Sequence, residues 1–363
     1  MKRTLLYTLC TALILGAASC SEKFDVAAPY KNVTIITTFL DMSDTAHYIR
    51  IEKGFIDNTK SVIDMKGVPD SSYYADADID VKMKELIPGN AVPLNITTLA
   101  KVNMEAEGYP KLAGYFFTNP SYAYKYKAQL NPAHTYRLVV TNTKSHEVDS
   151  AETGVIDTAY NNFNISSYPT FRIAKKDDQG FYSFDVHIVS PDTSNLAPAG
   201  IKEIECSMLF YYRDSFSSGN IVLHDPLKWT NIAITKSPTE ILSNNTSVTV
   251  HILNTLFYDF LQQNLAPVND NTTQFRKIDS MTLIVYGGSK DYSNYKKYAG
   301  STGGLTGSEI KPNYSNIKGG TVLGLYTTRG KRDFRGLKFD NFLGQTYDSL
   351  AADSRTKGLN LVP

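Results

Sequence analysis

Asp78-Ile79-Asp80-Val81-Lys82-Met83-Lys84 alternates charged and apolar residues without a break. Successive side chains of an extended chain point to opposite faces, so this stretch predicts a strand with one charged and one buried face. The same period recurs outward in both directions. His47-Tyr48-Ile49-Arg50-Ile51-Glu52 alternates, Tyr122–Lys127 places tyrosines on one face, and Tyr136–Val140 follows a turn at Asn131-Pro132. Further along, Phe181–Ile188, Ile204–Tyr212, Val248–Ile252 and Met281–Tyr286 repeat the pattern. Half-buried strands at short spacing predict a mainly all-β chain of two antiparallel β-sandwich domains.

The chain has 363 residues, 42% of them hydrophobic, and a formal net charge of +1. That composition excludes wholesale disorder, and the length exceeds what one core usually fills. A polar stretch from Asp149 to Asn164 marks the expected boundary, giving a first domain at 31–155 and a second at 165–345. Residues 346–363 are polar and read as a C-terminal tail. In the second domain Leu256, Phe257, Phe260, Leu261 and Leu265 fall at helical spacing. Asn254 or Thr255 can cap that helix and Pro267 follows it, so one amphipathic helix near 255–265 is expected to plug a sandwich end.

Residues 1–19 read as a signal peptide. Lys2 and Arg3 are followed by an apolar run, Leu5–Leu15, too short to span a bilayer, and then by Gly16, Ala17, Ala18 and Ser19. Small residues directly before Cys20 resemble the lipobox of bacterial lipoproteins, with Ala17 where Leu is usual. The resemblance implies lipid on Cys20 and a tether over residues 20–30. Ser21-Glu22-Lys23-Phe24-Asp25 resembles the acidic surface-export signal of Bacteroidota lipoproteins. Cys10 leaves with the signal and Cys20 is modified, so Cys206 alone remains and no intramolecular disulfide is available.

Leu130 and Tyr136 bracket Asn131–Thr135, which resembles the tyrosine corner of immunoglobulin-like and fibronectin-like domains. Three stretches make the chain resemble a family of uncharacterised Bacteroidota outer-membrane lipoproteins, a domain of unknown function. They are Thr45–Phe55 with Asp70–Tyr74 downstream, Phe257–Leu261, and Lys311–Ile317 with Gly319-Gly320 and Leu323–Tyr326. The resemblance implies an immunoglobulin-like N-terminal sandwich, a lipid-anchored and possible surface location, and partnership with a TonB-dependent transporter.

Catalytic signatures are sparse. There is no His-Glu-x-x-His and no Gly-x-Ser-x-Gly. Gly324–Lys331 has the wrong spacing for a phosphate loop, and Arg332 stands where Ser or Thr is needed. Asp76, Asp78 and Asp80 lack the Gly and Glu of a calcium loop, since Val81 and Ile87 occupy those places. The near-neutral charge excludes the electrostatic footprint of a nucleic-acid binder. Residues 287–320, rich in Gly, Ser, Tyr and Lys, read as a long loop. Tyr292, Tyr295 and Tyr298 are the candidate contact residues there. The expectation is a non-enzymatic lipoprotein without metal or cofactor that binds a ligand or serves a transporter. An adhesin or fimbrial subunit is the alternative, and a glycan-active enzyme comes third.

Overall fold

The computed structural model describes residues 33–54, 69–114, 117–157, 163–165, 170–174, 180–188, 200–232, 246–268, 273–300, 314–339 and 345–363. The expected signal peptide, Cys20 and its tether lie outside them, as do residues 301–313.

The alternating stretches become strands, except that Asp78 at the head of the first lies in a 3-10 turn. β1 (Val33–Asp41), β2 (Ala46–Gly54), β3 (Ile79–Leu86), β4 (Asn95–Thr98), β5 (Ala100–Asn103), β6 (Tyr122–Lys127), β7 (Thr135–Asn142) and β8 (Val148–Gly154) form the first sandwich. One layer runs β1-β2-β6-β5 and the other β4-β3-β7-β8, each with antiparallel neighbours. In chain order this pairing coincides with that of immunoglobulin-type sandwiches, A-B-E-D against C′-C-F-G. Ile36, Leu40, Ile49 and Ile51 from one layer meet Val81, Met83, Leu138 and Val140 from the other. Each such side chain contributes roughly 1.5–3 kcal/mol by leaving water. At the corner before β7, the buried Tyr136 accepts the Asn131 N–H at 2.8 Å and donates to Glu85 Oε1 at 3.1 Å.

The second sandwich is built from β9 (Phe163–Ile165), β10 (Thr170–Phe171), β11 (Phe181–Ile188), β12 (Glu203–Phe216), β13 (Ile221–Leu223), β14 (Leu227–Ile232), β15 (Thr246–Leu253), β16 (Thr273–Gly288) and β17 (Val322–Phe339). β12, β16 and β17 form its main sheet, flanked by β13 and β14 on β12 and by β10 on β17. The order β15-β11-β9 makes the facing sheet. Cys206, Met208, Phe210, Leu283 and Val285 pack with Phe184, Val186, Val248, Val250 and Ile252. Burial pushes the Cys206 thiol up to about 12, so it is an inert core side chain.

α1 (Asn254–Asn264) falls where its apolar spacing placed it. Phe257 and Phe260 lie 5.6 and 5.7 Å from the Phe210 ring and 5.7 and 5.3 Å from Trp229. Leu253, not Asn254 or Thr255, takes the N-cap position, and no side chain caps the helix there. One free donor of the first turn, the Asn254 N–H, is instead met by the Gly180 carbonyl at 2.9 Å.

Two expectations are corrected. The end of the chain is no loose tail. Residues Gln345–Ala352 form a helix, here α3, Leu350 and Leu359 are 0% and 1% exposed, and Leu361 bridges to Arg276. The domain division is also incomplete. β17 has 18 residues and approaches 60 Å in length. Its first half, Val322–Arg329, pairs parallel with β1 from Thr34 to Asp41. Its second half, Arg329–Leu337, pairs antiparallel with β16. One strand therefore serves both sandwiches, and their sheets run on as one. Tyr326, fully buried, belongs to the first core together with Ile317. Its hydroxyl donates to the Tyr136 carbonyl at 3.1 Å.

Candidate functional site

The stretch read as a long loop contains a helix. α2 (Lys290–Gly300) starts immediately after β16, with Asp291 in its first turn and Lys297 in its last, matching the sign of the helix dipole. It sits on the seam where β17 leaves one sandwich for the other. Ser289 Oγ and Thr327 Oγ1 lie 2.5 Å apart across it. Leu325–Thr328 are buried at four successive positions because both faces of β17 are covered here.

The three candidate tyrosines divide by face. Tyr292 and Lys296, four apart, point down onto β12. The Tyr292 hydroxyl donates to Glu205 Oε1 at 2.7 Å, and Lys296 Nζ reaches Glu205 and Glu203 at 2.8 and 2.9 Å. Burial pushes the Tyr292 phenol up, and the Glu205 carboxylate pushes it further. Its ring meets Phe39 of β1 edge-on at 5.3 Å. A β-carbon at Gly288 would lie 2.2 Å from this ring, so the approach requires glycine. Tyr292 thus bolts the helix across the seam. Tyr295 and Tyr298 are 42% and 47% exposed.

The Lys311–Tyr326 signature resolves, in its described part, into a clamp. Tyr314 donates to Asp291 Oδ1 at 2.5 Å, and Asn316 Nδ2 donates to Asp291 Oδ2 at 3.0 Å and to the Tyr326 carbonyl at 2.7 Å. Asn316 Oδ1 accepts the Tyr326 N–H at 3.0 Å. Burial, then the Asp291 carboxylate, pushes the Tyr314 phenol up to about 12. Gly319 lies against Asp149, and Gly320 N–H donates to Asp149 Oδ1 at 3.2 Å. Gly324, at φ +131°, passes against the backbone of Ile36. The signature residues hold two sandwiches together.

Beside this clamp a cleft of about 460 Å³ opens between the sandwiches. Thr135 and Glu152–Gly154 line it from the first, and Gly200, Lys202 and Ser289–Asp291 from the second. Junctions of this kind are frequent ligand sites. The Thr135 hydroxyl is buried here without a hydrogen-bond partner, an unmet polar group that costs roughly 1–3 kcal/mol. Glu152 is held by Arg137 at 2.6 Å. The Lys290 side chain, exposed at the rim, makes no ion pair among the described residues. Thr135, Glu152, Lys290 and Asp291 went unnoticed in the sequence because only the shared strand brings them together.

A second cavity, about 550 Å³, opens at the far end of the first sandwich between Asp76, Asp80, Thr98, Lys101 and Tyr124. Lys101 is already bound to Asp76 at 2.9 Å and to the Tyr74 carbonyl at 2.7 Å. The acidic run divides rather than forming one face. Asp76–Asp78 is a 3-10 turn, Asp78 pairs with Lys144, and Asp80 on β3 pairs with Lys82. Among the described residues no group of three or more His, Cys, Asp or Glu could hold a metal ion. His187 and His251 bond Ser247 and Ser183 across the β11–β15 pair, a structural use. No described helix is long and apolar enough to cross a membrane.

No family model matches the chain, and a search of curated proteins finds no match.

Proposed function

We propose that this chain is a lipid-anchored binding protein of the bacterial outer membrane, held by Cys20 and without an enzymatic activity of its own. The observation that carries the binding half is the cleft between the two sandwiches, with its unmet Thr135 hydroxyl and its Lys290 ammonium. The cleft carboxylates Glu152 and Asp291 are both engaged, by Arg137 and by Tyr314 and Asn316, which suits holding a ligand better than moving a proton. The anchor rests on the lipobox-like Gly16–Cys20. The strand order of the first sandwich and its tyrosine corner support an immunoglobulin-type module, and the resemblance to Bacteroidota lipoproteins supports service beside a TonB-dependent transporter.

The adhesin or fimbrial alternative requires strand exchange. β1 already has partners on both edges, β2 and β17, which weighs against an exchange there. The test is affinity purification of the full-length tagged protein from detergent-solubilised outer membrane. Recovery of a TonB-dependent transporter in equal amount makes the protein a transporter accessory. Recovery alone makes it a free-standing binder. A soluble protein whose fractionation is unchanged by Cys20→Ala overturns the anchored reading.

A further inference from the structure

The cleft and the exposed tyrosines are one surface. Asp291, Tyr295 and Tyr298 lie at i, i+4 and i+7 and share a face of α2. Asp291 lines the cleft, Tyr314 is bonded to Asp291, and the Tyr298 ring stacks on Tyr314 at 5.7 Å and 17°. From Asp291 to Tyr298 the helix rises about 10 Å. A polar cleft thus continues into a short row of exposed aromatic faces.

We infer that this surface binds an acidic oligosaccharide, its sugar rings on Tyr295 and Tyr298 and an anionic group at Lys290. The inference rests on the binding reading and names its ligand class. Three properties select that class. The Thr135 hydroxyl, 93% buried and unpartnered, lacks a hydrogen bond that a ligand hydroxyl can supply. The Lys290 ammonium is unpaired among the described residues, while Glu152 is paired with Arg137 and the Asp291 carboxylate, which keeps its charge, is turned to Tyr314 and Asn316, so Lys290 is the group open to an anionic substituent. The exposed tyrosines offer flat apolar faces with a polar edge, which suit the C–H face of a sugar ring. A single sugar is too short to reach both the cleft and Tyr298, so the ligand is an oligomer.

The test is calorimetric titration of the full chain with galacturonate oligomers of four to six units, alginate oligomers and chondroitin sulfate oligomers. Maltohexaose is the neutral control and a short poly-glutamate peptide the acidic non-sugar. At least one acidic oligosaccharide is expected to bind tenfold or more tighter than both controls, and to weaken with salt. Lys290→Ala and Tyr295→Ala, both at exposed positions, are each expected to weaken it tenfold or more with the unfolding midpoint unchanged. Absence of binding by the acidic panel at millimolar concentration overturns the inference, as does binding indifferent to both substitutions or equalled by the peptide. If the panel fails while a transporter co-purifies, the ligand class falls and the binding-protein reading stands. If the panel fails and the protein is recovered alone, the ligand class falls and the transporter partnership falls with it.

Discussion

Replacing Gly324 by Ala perturbs the seam at one atom. Gly324 sits opposite Ile36 in the parallel β1–β17 pair. A β-carbon there would lie 1.8 Å from the Ile36 carbonyl oxygen, 2.8 Å from its carbonyl carbon and 2.9 Å from its nitrogen. These are backbone atoms in a paired strand, so no side chain can swing aside, and β1 and β17 must part by more than an ångström. The residue also holds φ +131°, which L side chains rarely adopt. Backbone strain costs about 1–3 kcal/mol. Overpacking adds about 1–3 kcal/mol. A loss of about 4 kcal/mol follows, against a total stability of roughly 5–15 kcal/mol. At a slope of about 2 kcal/mol/M, the urea midpoint falls by about 2 M.

The chain supplies its own reporters for this experiment. Its single tryptophan, Trp229, packs in the second core, whereas Tyr74, Tyr124, Tyr126, Tyr136 and Tyr326 are buried in the first. Tyrosine near-ultraviolet circular dichroism is expected to lose its transition earlier in Gly324→Ala, with Trp229 fluorescence shifting less. A midpoint within 0.3 M of the parent by both probes, a margin set at about one-seventh of the expected shift, would refute the assigned register of β17 on β1.

Tyr326→Phe removes only the hydroxyl given to the Tyr136 carbonyl and should cost about 1 kcal/mol by urea unfolding, whereas Tyr326→Ala should cost about 3–5 kcal/mol. In the second sandwich, burial pushes the Asp214 carboxyl up, but the Arg276 guanidinium at 2.7 Å and then His224 hold it below the usual carboxylate range. Its folded pKa lies below its unfolded one, so this stabilisation is complete above the unfolded value of 3.8 and is lost as pH falls through the folded value. Asp214→Asn should flatten that acid limb in thermal melts and, by leaving Arg276 buried without its carboxylate, cost about 3–5 kcal/mol at neutral pH. Truncation before Gln345 exposes core contacts of Leu350, Leu359 and Leu361 and should lower the Trp229 transition by several degrees or cause aggregation, while a freely frayed end would leave it unmoved.

Strand positions and the position of α1 were legible because period two and period 3.6 are local. Tyr122–Lys127 and Phe181–Ile188 coincide with β6 and β11, and Leu256–Leu265 with α1 and its end. Partnership is not local. Nothing in Val322–Phe339 announces that its two halves join different sandwiches, since alternation specifies a face and not a neighbour. α2 escaped because Lys290–Gly300 has no apolar stripe and is fixed from outside, by Glu203, Glu205, Tyr314 and Asn316. Its start was still readable, as Ser289 followed by Asp291 is a helix-opening pair. Leu350 and Leu359 were too isolated in polar sequence to mark a packed end. Of the site, Tyr292, Tyr295 and Tyr298 were read together as candidate contact residues, and their spacing could not tell the packed Tyr292 from the exposed Tyr295 and Tyr298, while the cleft depends on the long-range seam.

The cleft exists because one strand serves two sandwiches, and hydrogen exchange across β17 in the full chain tests that claim most directly. Amides of Leu323–Arg329 are expected to be protected together with those of Thr34–Asp41, and Gly324→Ala is expected to release both segments while residues 331–337 stay protected through β16. Rapid exchange at 323–329 in the unaltered protein, with 331–337 protected, would contradict the shared strand and remove the wall on which the candidate site stands.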